Sequence, residues 1–147
     1  MLPQSEIYNA MIQEHGKAAF HGDFVQDRLQ RFRIQYALKH LPATGDMLDI
    51  GCGFGEISAG IAKSVSGTVL ALDVSSESLR LTEELGHTRS NLQYQLGTIE
   101  ALNGSRCFDG CSLFEVFEHV EDPDTLIRQI YTRLKPGGIL VMSTPNW

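Results

Sequence analysis

Cysteine is scarce in this chain, with three residues (Cys52, Cys107 and Cys111) among 147. The odd count fits neither a framework of paired disulfides nor the ligand spacing of a metal cluster, so a reducing, cytoplasmic setting is expected. Basic residues are also short, 12 Lys and Arg against 18 Asp and Glu, for a net charge of -6. That balance sets aside nucleic acid and anionic membrane surfaces as default partners. No apolar run approaches the roughly 18 residues of a membrane span. The opening segment MLPQSEIYNA lacks the basic-then-apolar pattern of a secretory leader, so none is expected. What is present is globular: 42% hydrophobic residues are too many for a disordered chain, and the length suits one core.

The pattern divides the chain at about residue 45. Residues 1–45 form an N-terminal helical segment in this reading. Val25, Leu29, Phe32 and Tyr36 recur at three- and four-residue steps, the stripe of an amphipathic helix that Pro42 and Gly45 end. An earlier helix is expected over about residues 5–20. Residues 46–147 alternate short apolar runs at 47–50, 69–72, 92–96, 111–114 and 139–142 with helical stretches. Ile57, Ile61 and Val65 step by four. Ser75 is an expected N-cap with Gly86 as the later stop, and Asp122-Pro123 opens a helix whose stripe is Ile127, Ile130 and Leu134. Strands separated by helices imply right-handed crossovers, hence an α/β fold with a doubly wound, mostly parallel sheet. Ligands of such sheets bind beyond the carboxyl ends of the strands.

The first strand runs into Asp49-Ile50-Gly51-Cys52-Gly53-Phe54-Gly55. Glycines at these positions let the chain turn tightly and let a ligand approach the backbone. The second strand ends at Asp73-Val74, where an acid can take both hydroxyls of a ribose or, taken alone, stand as a solvated strand end. Loop and acid together point to an adenosine-containing cofactor. A dinucleotide fingerprint reads G-x-G-x-x-G. Here the third glycine comes one residue early and Glu56 follows it, with Asp49 just ahead of the loop. Two acids are a poor setting for a pyrophosphate and suit a ligand carrying an ammonium group, which argues against a nicotinamide cofactor.

Beyond the fourth strand, Glu115, Glu118 and His119 would share one face if a helical turn began there. Such a face suits a divalent cation, or supplies a general base through His119; solvated acids beside a locally packed histidine are the alternative.

Leu48–Gly55 resembles the first motif of the class I S-adenosylmethionine-dependent methyltransferases. Ala71–Val74 is similar to their acidic second-strand motif, and Leu134–Leu140 to the turn before their fifth strand, a match over roughly residues 45–146 in the expected order. The resemblance implies a Rossmann-like methyltransferase core over 46–147. It places the cofactor against Asp49, Gly51, Cys52, Gly53 and Gly55, its ribose on Asp73 and Val74, and its adenine beside Thr98, Ile99 and Glu100, with Phe114 bordering it. Many members carry Asp where this chain has Thr98, which leaves the backbone N–H of Ile99 as a donor toward the adenine. Phe114–Val120 resembles the matching segment of the ubiquinone-biosynthesis O-methyltransferases. In them the residues matching Glu115, Glu118 and His119 are implicated in binding Mg²⁺ or another divalent cation near a phenolic acceptor. Ser143–Asn146 resembles that family too and would border the acceptor. An arginine reaching the cofactor's carboxylate is matched by Arg33, with Arg31 as the alternative.

The function expected is methyl transfer to a small phenolic or quinone-precursor acceptor. A binding module that holds the cofactor without turnover and a nicotinamide-dependent oxidoreductase are the alternatives. Class I members continue past their fifth strand with two more, so a core truncated after the fifth is expected here. Its edge over Gly138–Thr144 would then be open to self-association.

Overall fold

A computed structural model describes residues 3–15 and 24–145. Two helices, α1 (Gln4–His15) and α2 (Phe24–His40), precede an alternating array. The array runs β1 (Met47–Ile50), α3 (Glu56–Ser64), β2 (Val69–Asp73), α4 (Ser76–Glu84), β3 (Leu92–Leu96), β4 (Phe108–Phe114), α5 (Pro123–Arg133) and β5 (Leu134–Ser143). The strands form one sheet in the order β3-β2-β1-β4-β5, and every neighbouring pair is parallel. Chain order reverses between β1 and β4, so their carboxyl-terminal loops part there and leave a crevice.

Both faces of the sheet are covered, which is why its inner strands read as unbroken apolar runs. Met47, Val69 and Ala71 pack with Ala37 of α2 and Ile57, Ile61 and Ala62 of α3. Their neighbours Leu48, Ile50, Leu70 and Leu72 point the other way, onto Leu126 and Ile130 of α5. The period-two alternation of side chains across a strand makes this division. Helix signals read from the sequence act as they should. Ser75 accepts from the Ser78 N–H at 3.0 Å, Asp122 from the Thr125 N–H at 3.0 Å, and Gly86 adopts φ 70° after α4.

Three local expectations are corrected. The stripe expected to bury α2 lies outward: Leu29, Phe32 and Tyr36 are exposed, Phe32 by 61%. Ala37 and Leu41 are buried instead, and Ile34 packs beside them. Both stripes have helical spacing, and the face fitting the small residues and Gly60 of α3 took the core: a Cβ at Gly60 would lie 2.9 Å from Ile34 Cγ2. The side chain of Val25, residues 16–20 of the first expected helix, and Asn146 all lie outside the described part. In α5 the fully buried positions are Leu126 and Ile130, with Ile127 and Leu134 at the margin of the core. Strand β4 begins at Phe108 rather than Cys111, and β5 at Leu134 rather than Ile139. Phe108 pairs with Leu134 and Gly110 with Ile139, so the segment 135–138 bulges out between those two pairs.

Candidate active site

The loops after β1, β2, β3 and β4 surround a cavity of about 680 Å³. It is the crevice the strand order calls for. Gly51 and Cys52 close the top of β1 by donating their N–H groups to the Leu72 carbonyl at 2.8 and 2.9 Å. Gly53 follows at φ 53°, a left-handed conformation that side chains disfavour, and nothing lies within 4 Å of where its Cβ would stand. The loop therefore presents bare backbone to the cavity at this point. Gly55, read from the sequence as a cofactor contact, is not among the lining residues. It caps α3 at φ 79°, and a Cβ there would collide with the Tyr94 hydroxyl. The glycine is required for packing under the loop. That hydroxyl donates to the His87 carbonyl at 2.6 Å, and the His87 ring bonds the Phe54 carbonyl at 2.7 Å, which fixes the loop from beneath.

Two acids stand at this end, Asp49 buried and Asp73 half-buried. Asp49 is 2% exposed, and its carboxylate accepts from Ser58 Oγ at 2.5 Å and Ser112 Oγ at 2.6 Å. Burial pushes its pKa up to about 6 against the pull of both hydroxyls, so it is still mostly ionised at neutral pH. Asp73, at the tip of β2, accepts the Gly53 N–H at 2.7 Å and the Ser75 N–H at 2.8 Å. Burial raises its pKa too, offset by these backbone bonds. One carboxylate thus ties the glycine loop to the start of α4 while facing the cavity beside Val74. Farther round, Thr98, Ile99 and Glu100 line the wall after β3. Thr98 Oγ1 donates to Glu100 at 3.3 Å, and Gln129 of α5 donates to the other Glu100 oxygen at 2.8 Å.

The opposite end is made by Phe114, Glu115, Val116 and His119 after β4, with Arg33 reaching in from α2. Arg33 Nη2 lies 3.1 Å from Glu115 Oε2, and its Nη1 donates to Gln30 Oε1 at 3.1 Å. Arg31, the alternative, is exposed and does not line the cavity.

The expected shared face of Glu115, Glu118 and His119 does not form. Glu115 takes φ 56°, and only a three-residue 3-10 turn, Phe117–His119, follows. The left-handed residue turns the Glu115 carboxylate away, to Arg33 and to the Ser143 hydroxyl at 2.7 Å. Glu118 does not line the cavity; it accepts from Thr144 Oγ1 at 3.3 Å and lies 3.8 Å from His119 Nε2. Among the described residues no three His, Cys, Asp or Glu side chains come together as a set able to hold a metal ion. The trio does not fit a cation in this arrangement, since Glu115 turns to Arg33 and Ser143 while Glu118 lies outside the cavity.

Glu56, read as an acid beside the loop, lines the cavity, which also has walls that the sequence reading did not name as site residues: Tyr8, Gln30, Phe54, Ser78, and the first turns of α5 from Asp122 to Gln129. A signal for the last group was available. Where ligands sit beyond the strand ends, the first turn of each following helix faces them. Nothing in the weak pattern of residues 4–15 pointed to Tyr8.

A glycine loop at a sheet's switch point, with an acid closing the next strand, defines a nucleotide-cofactor-binding α/β protein. Residues 48–142 match the methyltransferase domain family, and the chain belongs to it. It is 35% identical over 123 residues to the ubiquinone biosynthesis O-methyltransferase of Xanthomonas axonopodis pv. citri, covering 80% of this chain and 51% of that protein. The chain thus spans about half the length of the curated relatives it matches. Among solved structures, the N-methyltransferase NodS from Bradyrhizobium japonicum, in complex with S-adenosyl-L-homocysteine, superposes with a TM-score of 0.74 at 19% identity, over 92% of this chain and 71% of that one. The [4+2]-cyclase SpnF does so equally well, 0.74 at 20% identity over 96% and 58% of the two chains. The fold is shared by proteins with different chemistries, so the site must decide the reaction.

Proposed function

We propose that this chain binds S-adenosylmethionine and transfers its methyl group to a hydroxyl of a small phenolic or quinone-precursor acceptor. The observation that carries this reading is the continuity of one cavity, with Gly53 and Asp73 at one end and His119 at the other. Its support from relatives is the similarity to ubiquinone biosynthesis O-methyltransferases.

Each end then has a task. Asp73 offers a carboxylate to ribose hydroxyls while its backbone bonds keep the loop in place. Bare backbone at Gly53 lets the cofactor lie against the main chain. The ionised Asp49 beneath the loop gives that end a negative field suited to an ammonium or sulfonium charge. Arg33 is the cation placed to meet the cofactor's carboxylate, in exchange for Glu115. S-adenosylmethionine supplies an electrophilic methyl group on a sulfonium. At the far end the His119 imidazole takes the acceptor's hydroxyl proton, and half-exposure leaves a route for that proton to solvent. No metal is needed for this sequence of roles, and none of the residues' roles here depends on one.

The test is methyl transfer from labelled S-adenosylmethionine to catechols and to polyprenylated phenols, for the wild type and His119→Ala. Transfer by the wild type, reduced by about 100-fold or more in the variant, is expected for a general base. A chain that binds S-adenosylhomocysteine and methylates no phenol would instead be a cofactor-binding module.

A further inference from the structure

Helix α1 contributes Tyr8 to the cavity wall, and three observations fix it there. Ile12 is 3% exposed and packs with Phe54 of the glycine loop and Leu81 and Leu85 of α4. Asn9 joins the N-terminus of α4: its Oδ1 accepts from Ser75 Oγ at 2.7 Å, and its Nδ2 donates to Ser76 Oγ at 3.5 Å. One residue before Asn9 and one turn before Ile12, Tyr8 lines the cavity, its ring edge-on to His119 with centroids 6.1 Å apart. Resting on the reading above, we propose that α1 is the cover of the site and that Tyr8 is a positioning residue. Its ring spans from the Asp73 end to His119, shuts water out above the bound cofactor and sets the plane of the imidazole toward the acceptor.

The anchors explain why this contact depends on the cofactor end. Phe54 belongs to the glycine loop and Ser75 is tied to Asp73, so α1 docks onto the two segments that face the cofactor end of the cavity. A cofactor packed against those already fixed segments adds a second contact for α1, and Tyr8 is then held against His119. Burial is the main cause raising the Tyr8 phenol pKa, with the charges of Asp73 and Glu118 adding to it, as expected of a ring standing between the two ends. The phenol stays neutral at working pH, and the ring rather than a phenolate is the acting part.

Hydrogen exchange of the chain with and without S-adenosylhomocysteine, together with the dissociation constant of three variants, tests this. Expected are slower exchange across residues 4–15 on binding, and affinity loss of about tenfold in both Tyr8→Ala and Ile12→Ala, as for a lost buried contact. Tyr8→Phe keeps wild-type affinity and leaves the pH profile of methyl transfer in place, whereas Tyr8→Ala displaces that profile through His119. Equal affinity in all variants, with unchanged exchange in α1, overturns the proposal and leaves cofactor binding intact. Failure of the wild type to bind S-adenosylhomocysteine overturns the cofactor reading, and this proposal with it.

Discussion

The two ends of the cavity are built on different principles. At the cofactor end, the ligand-facing groups are backbone and carboxylates held by close partners packed on the sheet: Asp49 by Ser58 of α3 and Ser112 of β4, Asp73 by Gly53 of the glycine loop and Ser75 at the start of α4. Such a surface is set by the sheet and hardly moves without unfolding it. At the acceptor end, the ligand-facing groups are long side chains on α2, α1 and a single 3-10 turn: Arg33, Glu115, His119 and Tyr8. They hold one another by an ion pair and a ring contact that a bound molecule can replace. On the proposed reading, a rigid half takes the cofactor's ribose end and an adjustable half takes its carboxylate, through Arg33, together with the acceptor, which is the division a family with many acceptors needs.

The sharpest way to break the rigid half is Gly53→Val. A branched side chain at φ 53° is strained, and it would stand in open cavity where the cofactor lies. The strain falls on folding in free and bound protein alike, while the occupied space acts on the ligand, so binding of S-adenosylhomocysteine should fall by more than about 100-fold with circular dichroism unchanged. Asp73→Ala comes next. It removes a charged acceptor from two backbone N–H groups and from the ligand, a loss of about 1.5–3 kcal/mol in binding, read by calorimetry.

The buried acid beneath the loop gives a pH signature. Folding raises the Asp49 pKa from 3.8 to about 6, so the folded state holds that proton more tightly than the unfolded chain. Its contribution to stability is fully present below about pH 4 and is lost as pH rises through about 6. Asp49→Asn cannot ionise, so its stability relative to wild type should improve from pH 4 to pH 7 by on the order of 2–3 kcal/mol, measured by denaturant titration at each pH. A constant difference across that range would contradict the burial argument. The smallest effect belongs to the adjustable half: Glu118→Gln should change cofactor affinity by less than about twofold, as for a surface charge. EDTA should leave turnover where it was, because the trio does not assemble as a ligand set.

How far each half was legible follows from the same contrast. The glycine loop, the acid closing β2 and the α/β alternation are local patterns: a few adjacent residues state the conformation, and the sheet places loop and acid at its carboxyl end as expected. The acceptor half depends on one backbone angle and on which side of a helix faces inward. Glu115 at φ 56° undoes the i, i+3, i+4 face that its spacing suggested. In α2 two stripes have helical spacing, and only the small surface of α3 decides that Ile34 and Ala37 go inward while Phe32 goes out. Tyr8 belongs to the site only through the docking of Ile12 and Asn9, contacts 66 or more residues away in sequence in the case of Asn9. Tertiary choices of this kind leave no periodic trace.

Calorimetric titration of the chain with S-adenosylhomocysteine and, separately, with NAD, on the wild type and on Asp73→Ala, bears most directly on the claim that this cavity is a methyl-donor site. Saturable binding of S-adenosylhomocysteine, at least about tenfold weaker in Asp73→Ala, with no heat from NAD, is the predicted result. Binding of NAD in preference, or S-adenosylhomocysteine affinity indifferent to Asp73, would contradict it.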